Sequence, residues 1–135
     1  MKNSRTALLA GILVACGFLA QAQFREGPRY DSRSVSALVD RVHVDLDRAY
    51  RERHFSNDER ERLNRAEKQL RDFAQKWDHG KFDKGELDDV ISAIQHVLDN
   101  NRLPEPERDA ISDDVSQLRK MREAYDRHEI EGATR

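Results

Sequence analysis

The chain of 135 residues contains one cysteine, Cys16, and this cysteine lies within the first apolar stretch. From residue 23 onward the sequence therefore offers no disulfide, no thiolate nucleophile and no cysteine ligand for a metal. A domain without such cross-links must be held together by its hydrophobic core alone, which is feasible at a length of about a hundred residues.

The motifs of several enzyme and cofactor classes are also missing. The chain has no Gly-x-Ser-x-Gly, no glycine-rich phosphate loop, no His-Glu-x-x-His and no Cys-x-x-Cys-His. These motifs are typical of serine hydrolases, nucleotide-binding enzymes, zinc proteases and proteins with covalent haem, respectively. The sequence therefore predicts a protein that is not an enzyme and that has no cofactor.

Positive charge is not in excess. The chain has 24 basic and 26 acidic residues, which gives a formal net charge of −2. Domains that bind nucleic acid are normally clearly basic. We therefore expect no nucleic acid among the partners of this protein.

Only one long apolar run is present, at residues 7–20, shortly after the basic residues Lys2 and Arg5. It is shorter than the roughly 20 residues that a membrane-spanning helix needs. The sequence Ala20-Gln21-Ala22 has the small-x-small form of a signal-peptidase site. We predict a signal peptide over residues 1–22, export to the periplasm or the medium, and a mature chain without a transmembrane span.

Cys16 gives an alternative to this cleavage. The residues Leu13 to Cys16 resemble the lipobox of bacterial lipoproteins, in which the peptidase cuts before a cysteine that carries lipid. The apolar run continues past Cys16 to Ala20, however, where a lipoprotein usually begins a polar tether. We favour cleavage after Ala22 and keep Cys16 as the lipidation candidate, with anchoring of the protein as the alternative localisation.

Apolar residues recur at helical spacing in four later segments. The first segment begins with a cap at Asp31 or Ser32 and extends to about His54. The second begins with a capping box formed by Ser56 and Glu59 and extends to Trp77, which we predict to be a core residue. The apolar stripes of these two segments consist of Val35, Leu38, Val39, Val42, Leu46, Ala49 and Tyr50, and of Leu63, Ala66, Leu70, Phe73, Ala74 and Trp77.

The third segment is the most strongly specified. Asp83 and Glu86 have capping-box spacing, and Phe82 and Leu87 have the spacing of a hydrophobic staple. Its apolar stripe consists of Leu87, Val90, Ile91, Ile94, Val97 and Leu98. The fourth segment follows two prolines that are tolerable only at the start of a helix, and its apolar side consists of Ile111, Val115, Leu118, Met121 and Tyr125.

Four one-sided helices joined by short connections predict an all-α fold. The architecture is a four-helix antiparallel bundle or a pair of helical hairpins. We place an irregular lead-in at residues 23–30, the helical domain at 31–130 and a tail at 131–135. The formal charges of residues 23–81 and 82–135 are +2 and −6, so the two halves could attract each other or dimerise by exchange.

Residues 80–86 resemble the second half of a calcium-binding EF-hand loop, with Gly80 at the sixth position, Asp83 at the ninth and Glu86 at the twelfth. The first half does not match, because Trp77 occupies the third position and cannot ligate calcium. A glycine turn followed by a capped helix explains the same residues without a metal. We therefore predict no metal site and keep Asp83 and Glu86 as weak candidates.

Histidines and paired carboxylates do not form a recognisable site in the sequence. Asp40 and His43 are the only carboxylate and histidine in that order at one-turn spacing, and a di-iron bundle needs more than one such pair. Adjacent residues on a helix point in different directions. We therefore interpret Asp88-Asp89 and Asp113-Asp114 as solvated surface.

The stretch Lys81 to Ile91, followed by Asn101-Arg102-Leu103-Pro104, Arg108-Asp109 and Asp114-x-x-x-Leu118-Arg119, resembles small exported bacterial helical proteins of unknown function. The resemblance covers about the last 55 residues. It implies bacterial export and supplies no activity.

Two functional hypotheses follow from the sequence. The first is an exported non-catalytic protein that acts by contact with another protein or by self-association, as an adaptor, an inhibitor or a chaperone-like binder. The second is a cation-binding envelope protein that uses the half-loop at residues 80–86.

Overall fold

Four α-helices form the part of the chain that the structure, a computed structural model, describes, namely residues 30–51 and 54–133. The predicted signal peptide, the lipidation candidate Cys16 and the lead-in up to residue 29 lie outside these residues. The helices are α1 Ser32–Tyr50, α2 Asn57–Asp78, α3 Lys84–Asn100 and α4 Glu105–Asp126.

The starts of the helices follow the capping signals in the sequence. The side chain of Asp31 accepts a hydrogen bond from the Ser34 N–H at 2.7 Å. Ser56 and Glu59 form the reciprocal capping box that opens α2. Pro104 is the N-cap of α4, and Pro106 lies in its first turn, where no intrahelical N–H is required.

α1 ends at Tyr50, one turn before the predicted end at His54. The backbone N–H of Arg51 closes the last turn of α1. Phe55 then turns into the core, and Ser56 caps the next helix. The helix is therefore shorter than the segment that the sequence pattern assigned to α1.

The helices pack in a ring, in which α1 contacts α2, α2 contacts α3, α3 contacts α4, and α4 contacts α1. Lys84 at the start of α3 bonds Asp126 at the end of α4, and Arg62 near the start of α2 bonds Asn101 just after α3. Neighbouring helices are therefore antiparallel, and of the two predicted architectures the structure has the four-helix bundle.

One hydrophobic core runs through the bundle. The predicted stripes supply most of it, and Trp77 is buried, as predicted. Phe82 lies among three rings from two helices: its ring stacks on Tyr125 of α4 and meets Phe73 and Trp77 of α2 edge to face. These four rings close the end of the bundle at which α1 and α3 begin.

At the same end, the residue before Asp31, the N-cap of α1, forms backbone hydrogen bonds with the segment that follows α4. The Tyr30 N–H donates to the carbonyl of Glu129 at 3.1 Å, and the Glu131 N–H donates to the carbonyl of Tyr30 at 2.8 Å. The side chains of Tyr30 and Ile130 are both buried. Among the described helices, none combines the length and the apolar character needed to cross a bilayer.

Candidate functional site

The two metal candidates from the sequence, Asp83 and Glu86, lie together where α3 begins. Lys76 of α2 donates from Nζ to Asp83 Oδ2 and to Glu86 Oε1, at 2.8 Å in each case. Asp83 Oδ1 also accepts from the Glu86 N–H at 3.1 Å, so the N-cap is present. Only one half of the predicted capping box forms, because the Glu86 carboxylate bonds Lys76.

The lysine changes the electrostatics of this pair. Hydrogen bonds from Lys76 and from the Glu86 N–H lower the pKa of Asp83 to about 2. The same two carboxylates raise the pKa of Lys76 above its usual value. The ammonium group therefore occupies the position between the carboxylates at which a bound cation would be expected to sit.

The other half-loop features are structural in this arrangement. Gly80 adopts a left-handed conformation with φ of 78°, as predicted for the end of α2. Within residues 30–51 and 54–133, no group of three or more His, Asp or Glu side chains is arranged to hold a metal.

His43 pairs with a carboxylate that the sequence did not identify. Its Nδ1 lies 2.9 Å from Oε2 of Glu67, on the neighbouring helix α2. Asp40, the carboxylate at one-turn spacing, is exposed and takes no part in this pair. Sequence spacing finds pairs within a helix, whereas this pair is made across two helices.

This histidine lies in a groove of about 270 Å³ between α1 and α2. The groove is lined by His43, Asp47, Tyr50, Asn64, Glu67 and Arg71. Tyr50 remains 39% exposed, and Val44, one residue beyond His43, is 51% exposed. No other large hydrophobic side chain is as exposed among the described residues.

Two other grooves have polar rims. One of about 450 Å³ lies between α3 and α4, where its rim includes Gln95, Ser116, Arg119 and Lys120. Another, of about 430 Å³, lies between α2 and α3. Their apolar lining residues are buried or partly buried, so neither groove presents an exposed apolar side chain comparable to Val44 or Tyr50.

Asp114 corrects the interpretation of the paired carboxylates as solvated surface. Asp113 is exposed, as expected, but Asp114 is completely buried between α4 and α1. Its Oδ1 accepts from Arg41 Nε at 2.9 Å. Nη2 of the same arginine donates to Oδ2 of Asp113. One arginine of α1 thus holds both carboxylates of α4.

The second oxygen of Asp114 is unusual. Oδ2 is buried and receives no hydrogen bond from any described residue. Burial raises the pKa of Asp114 to about 6 despite the bond from Arg41, and the nearby carboxylate of Asp45 raises it further. Asp45 is itself held by Arg48 of the same helix at 3.2 Å.

A sequence signal for the burial of Asp114 does exist. Asp114 lies three residues after Ile111 and four before Leu118, so it falls on the apolar stripe of α4. Asp113 falls beside the stripe. Treating the two aspartates as one surface pair therefore concealed the difference between them.

Comparisons with known proteins do not extend these observations. No family model matches the chain, and neither the curated proteins nor the solved structures give a significant match.

Proposed function

We propose that this chain is an exported, non-catalytic protein that acts by contact with another protein through the outward side of α1. We call this surface the α1 face and define it by His43, Asp47 and Tyr50, which line the groove between α1 and α2, together with Val44, which lies one turn before Asp47 and further around the helix. The exposure of Val44 and Tyr50 on the same helix is the observation that supports the proposal most directly.

The residue types on the α1 face fit a contact surface. Tyrosine supplies a large rigid ring and a hydroxyl group, and it is enriched among the residues that dominate binding energy at protein interfaces. Tyr50 stands at the edge of the groove between α1 and α2. A side chain from a partner could therefore enter the groove while its backbone covers Val44.

The polar groups around the groove favour a specific partner over a general apolar one. Arg71 supplies a cation and Asp47 a carboxylate on opposite sides of the groove. Charged groups at the rim of an interface contribute mainly to orientation and to the rate of association. We therefore expect a partner segment with an apolar anchor that is flanked by charges of both signs.

Site-specific photocrosslinking in the producing cell tests this proposal. A photoreactive amino acid at position 47 should give a discrete adduct, and the adduct should be lost with Val44→Ser or Tyr50→Ser. The same amino acid at the exposed Ser92 of α3, on the opposite side of the bundle, is the control and should give no adduct.

Three results would count against the proposal. The first is the absence of an adduct at position 47 in a folded protein, and the second is an adduct that persists in both serine variants. An adduct with the mass of two chains would identify the partner as a second copy and exclude an adaptor role. Circular dichroism of each variant shows whether the fold is retained.

The cation-binding hypothesis stays a prediction. Lys76 already neutralises the carboxylates on which that hypothesis depends. The geometry therefore favours protein contact as the proposed function.

A further inference from the structure

The interface between α1 and α4 joins the first and the fourth helix of the bundle. In its middle lie three carboxylates, Asp45 of α1 and Asp113 and Asp114 of α4. Arg41 bonds Asp113 and Asp114, and Arg48 bonds Asp45. The interface thus holds one more negative than positive charge if all three aspartates are ionised.

Asp114 is the most buried of the three aspartates, so the excess negative charge would be least favourable there. Asp114 has no exposed surface, and its Oδ2 faces no hydrogen-bond donor among the described residues. A buried charge that lacks part of its hydrogen bonding carries a large desolvation penalty. A structure with Asp114 ionised would therefore be strained at this point.

One proton on Asp114 would remove both the excess negative charge and the missing hydrogen bond of Oδ2. Two carboxylates cannot hydrogen-bond to each other when both are ionised, but a neutral carboxyl can donate to a neighbouring carboxylate. With a proton on Oδ2, Asp114 would donate to Asp45 and still accept from Arg41 through Oδ1. Both oxygens of Asp114 would then be satisfied, and the charges of the interface would balance.

We propose that Asp114 and Asp45 share a proton across the α1–α4 interface, and that loss of this proton weakens the contact between α1 and α4. The bundle therefore opens more readily at this interface when the pH rises. This proposal concerns the stability of the bundle itself and does not depend on a partner protein.

The neighbouring helices supply no alternative charge for Asp114. The buried side chains of α3, the other helix packed against α4, are Leu87, Val90, Ile91, Ile94, Val97 and Leu98. The charged residues of α4 that bond α3 are Arg108, Arg119, Arg122 and Asp126, each at least five residues from Asp114 in the sequence. The groups that act on Asp114 are thus Arg41 and Asp45 of α1, together with its own neighbour Asp113.

The pH range follows from the direction of the pKa shift. The pKa of Asp114 is raised from 3.8 to about 6 in the folded protein. The folded state therefore binds this proton more tightly than the unfolded state, and the stabilisation is lost as the pH rises through that interval. Above about pH 6 the interface carries the unbalanced charge.

The test compares the unfolding of the wild-type protein and of Asp114→Asn as a function of pH. Asparagine keeps the acceptor for Arg41 and replaces the shared proton with a permanent N–H donor for Asp45. The ratio of the wild-type to the variant unfolding constant should grow by ~10-fold or more between pH 4.5 and pH 8.

Asp113→Asn is the matched control. It makes the same substitution on the same helix and removes a carboxylate from the same arginine, but at an exposed position. Its unfolding constant relative to wild type should change by less than ~3-fold over the same pH range, because an exposed pair contributes little. Equal behaviour of the two variants would overturn the proposal.

Two measurements on the protein keep the proposal falsifiable if Asp114→Asn does not fold. In a carboxyl ¹³C titration of the wild type, one aspartate should titrate near pH 6, and Asp45→Asn should shift that midpoint. Amide hydrogen exchange, corrected for its intrinsic pH dependence, should accelerate above pH 6 in α1 and α4 relative to α2 and α3. The absence of any carboxyl titrating above pH 5 would overturn the proposal.

Discussion

Glu59 Oε1 accepts a hydrogen bond of 2.8 Å from the backbone N–H of Arg102, which joins the start of α2 to the connection between α3 and α4. Oε2 of the same carboxylate accepts from the Ser56 N–H at 2.8 Å. Glu59 is buried, and these bonds lower its pKa. One side chain thus completes a helix cap and fixes a loop from the other half of the sequence.

Glu59→Ala should lower the free energy of unfolding by about 2–3 kcal/mol, because it removes the capping acceptor and leaves the Arg102 N–H without its partner. Urea denaturation above pH 5 measures the change. The control is Glu61→Ala, two residues along α2, where an exposed pair with Arg65 is lost and at most about 0.5 kcal/mol is expected. Equal effects of the two substitutions would contradict the role assigned to Glu59.

Phe82 is the aromatic residue on which one end of the bundle depends. Its ring centroid lies 4.5 Å from that of Tyr125, 5.3 Å from Phe73 and 5.9 Å from Trp77. Phe82→Ala should cost about 3–5 kcal/mol, because it leaves a cavity among three rings. The fluorescence emission of Trp77 should shift to longer wavelength in the folded variant. Tyr50→Ala, at an exposed position, should change neither quantity appreciably.

The fold was largely predictable because its determinants are local. Capping residues and apolar spacing mark each helix in the sequence, and short connections require antiparallel neighbours. Asp31, Ser56 and Asp83 all cap the helices that they were expected to cap. The end of α1 was less predictable, because residues 51–54 contain no glycine or proline that would mark a stop, and Phe55 is buried through tertiary packing.

The polar contacts between helices were not predictable in the same way. The partners of Glu59, His43 and Asp114 are distant in sequence, and their pairing depends on the rotation of each helix within the ring. The sequence of one helix indicates its rotation only through the position of its apolar stripe. Asp114 shows that polar residues must also be placed relative to that stripe, because a polar residue on the stripe is expected to be buried.

Lys76→Gln should raise the pKa of Asp83 in the half-loop at residues 80–86 and so change how the protein responds to acid. The pKa of Asp83 lies at about 2 in the folded protein, below its usual 3.8, so its stabilising contribution is present above pH 3.8 and is lost as the pH falls toward 2. Without the ammonium group, the pKa of Asp83 should rise toward 3.8. A carboxyl ¹³C titration of Asp83 measures this change.

The same variant separates the two functional hypotheses. Calorimetry should detect no calcium uptake by the wild type at millimolar calcium, since Lys76 bonds both candidate carboxylates. Calcium uptake by the wild type that disappears in Asp83→Asn would instead support the cation-binding function. Uptake by Lys76→Gln alone would show that the lysine keeps this site closed to cations.

Substitutions of Gly80 and Gly85 by alanine test how backbone conformation contributes to the stability of the protein. Gly80 has a φ of 78°, and a Cβ added there would meet no atom within 4 Å, so Gly80→Ala should destabilise the protein by about 1–2 kcal/mol through its backbone conformation alone. Gly85 lies in the first turn of α3, where an added methyl group would meet only Asp83 Oδ1 at 3.4 Å. Gly85→Ala should therefore stabilise by a few tenths to about 1 kcal/mol. Thermal unfolding of both variants in one buffer gives the comparison.

The intact mass of the protein from soluble and membrane fractions of the producing cell should decide between the two export routes. Cleavage after Ala22 predicts a soluble species that begins at Gln23 and contains no cysteine. Cleavage before Cys16 predicts a membrane-bound species with a lipid mass on that residue. We expect the soluble species, because the apolar run extends past Cys16 and ends beside the small-x-small site. Cys16→Ser is the matched control: it should leave the soluble species unchanged, whereas a shift of processed protein out of the membrane fraction would identify a lipoprotein.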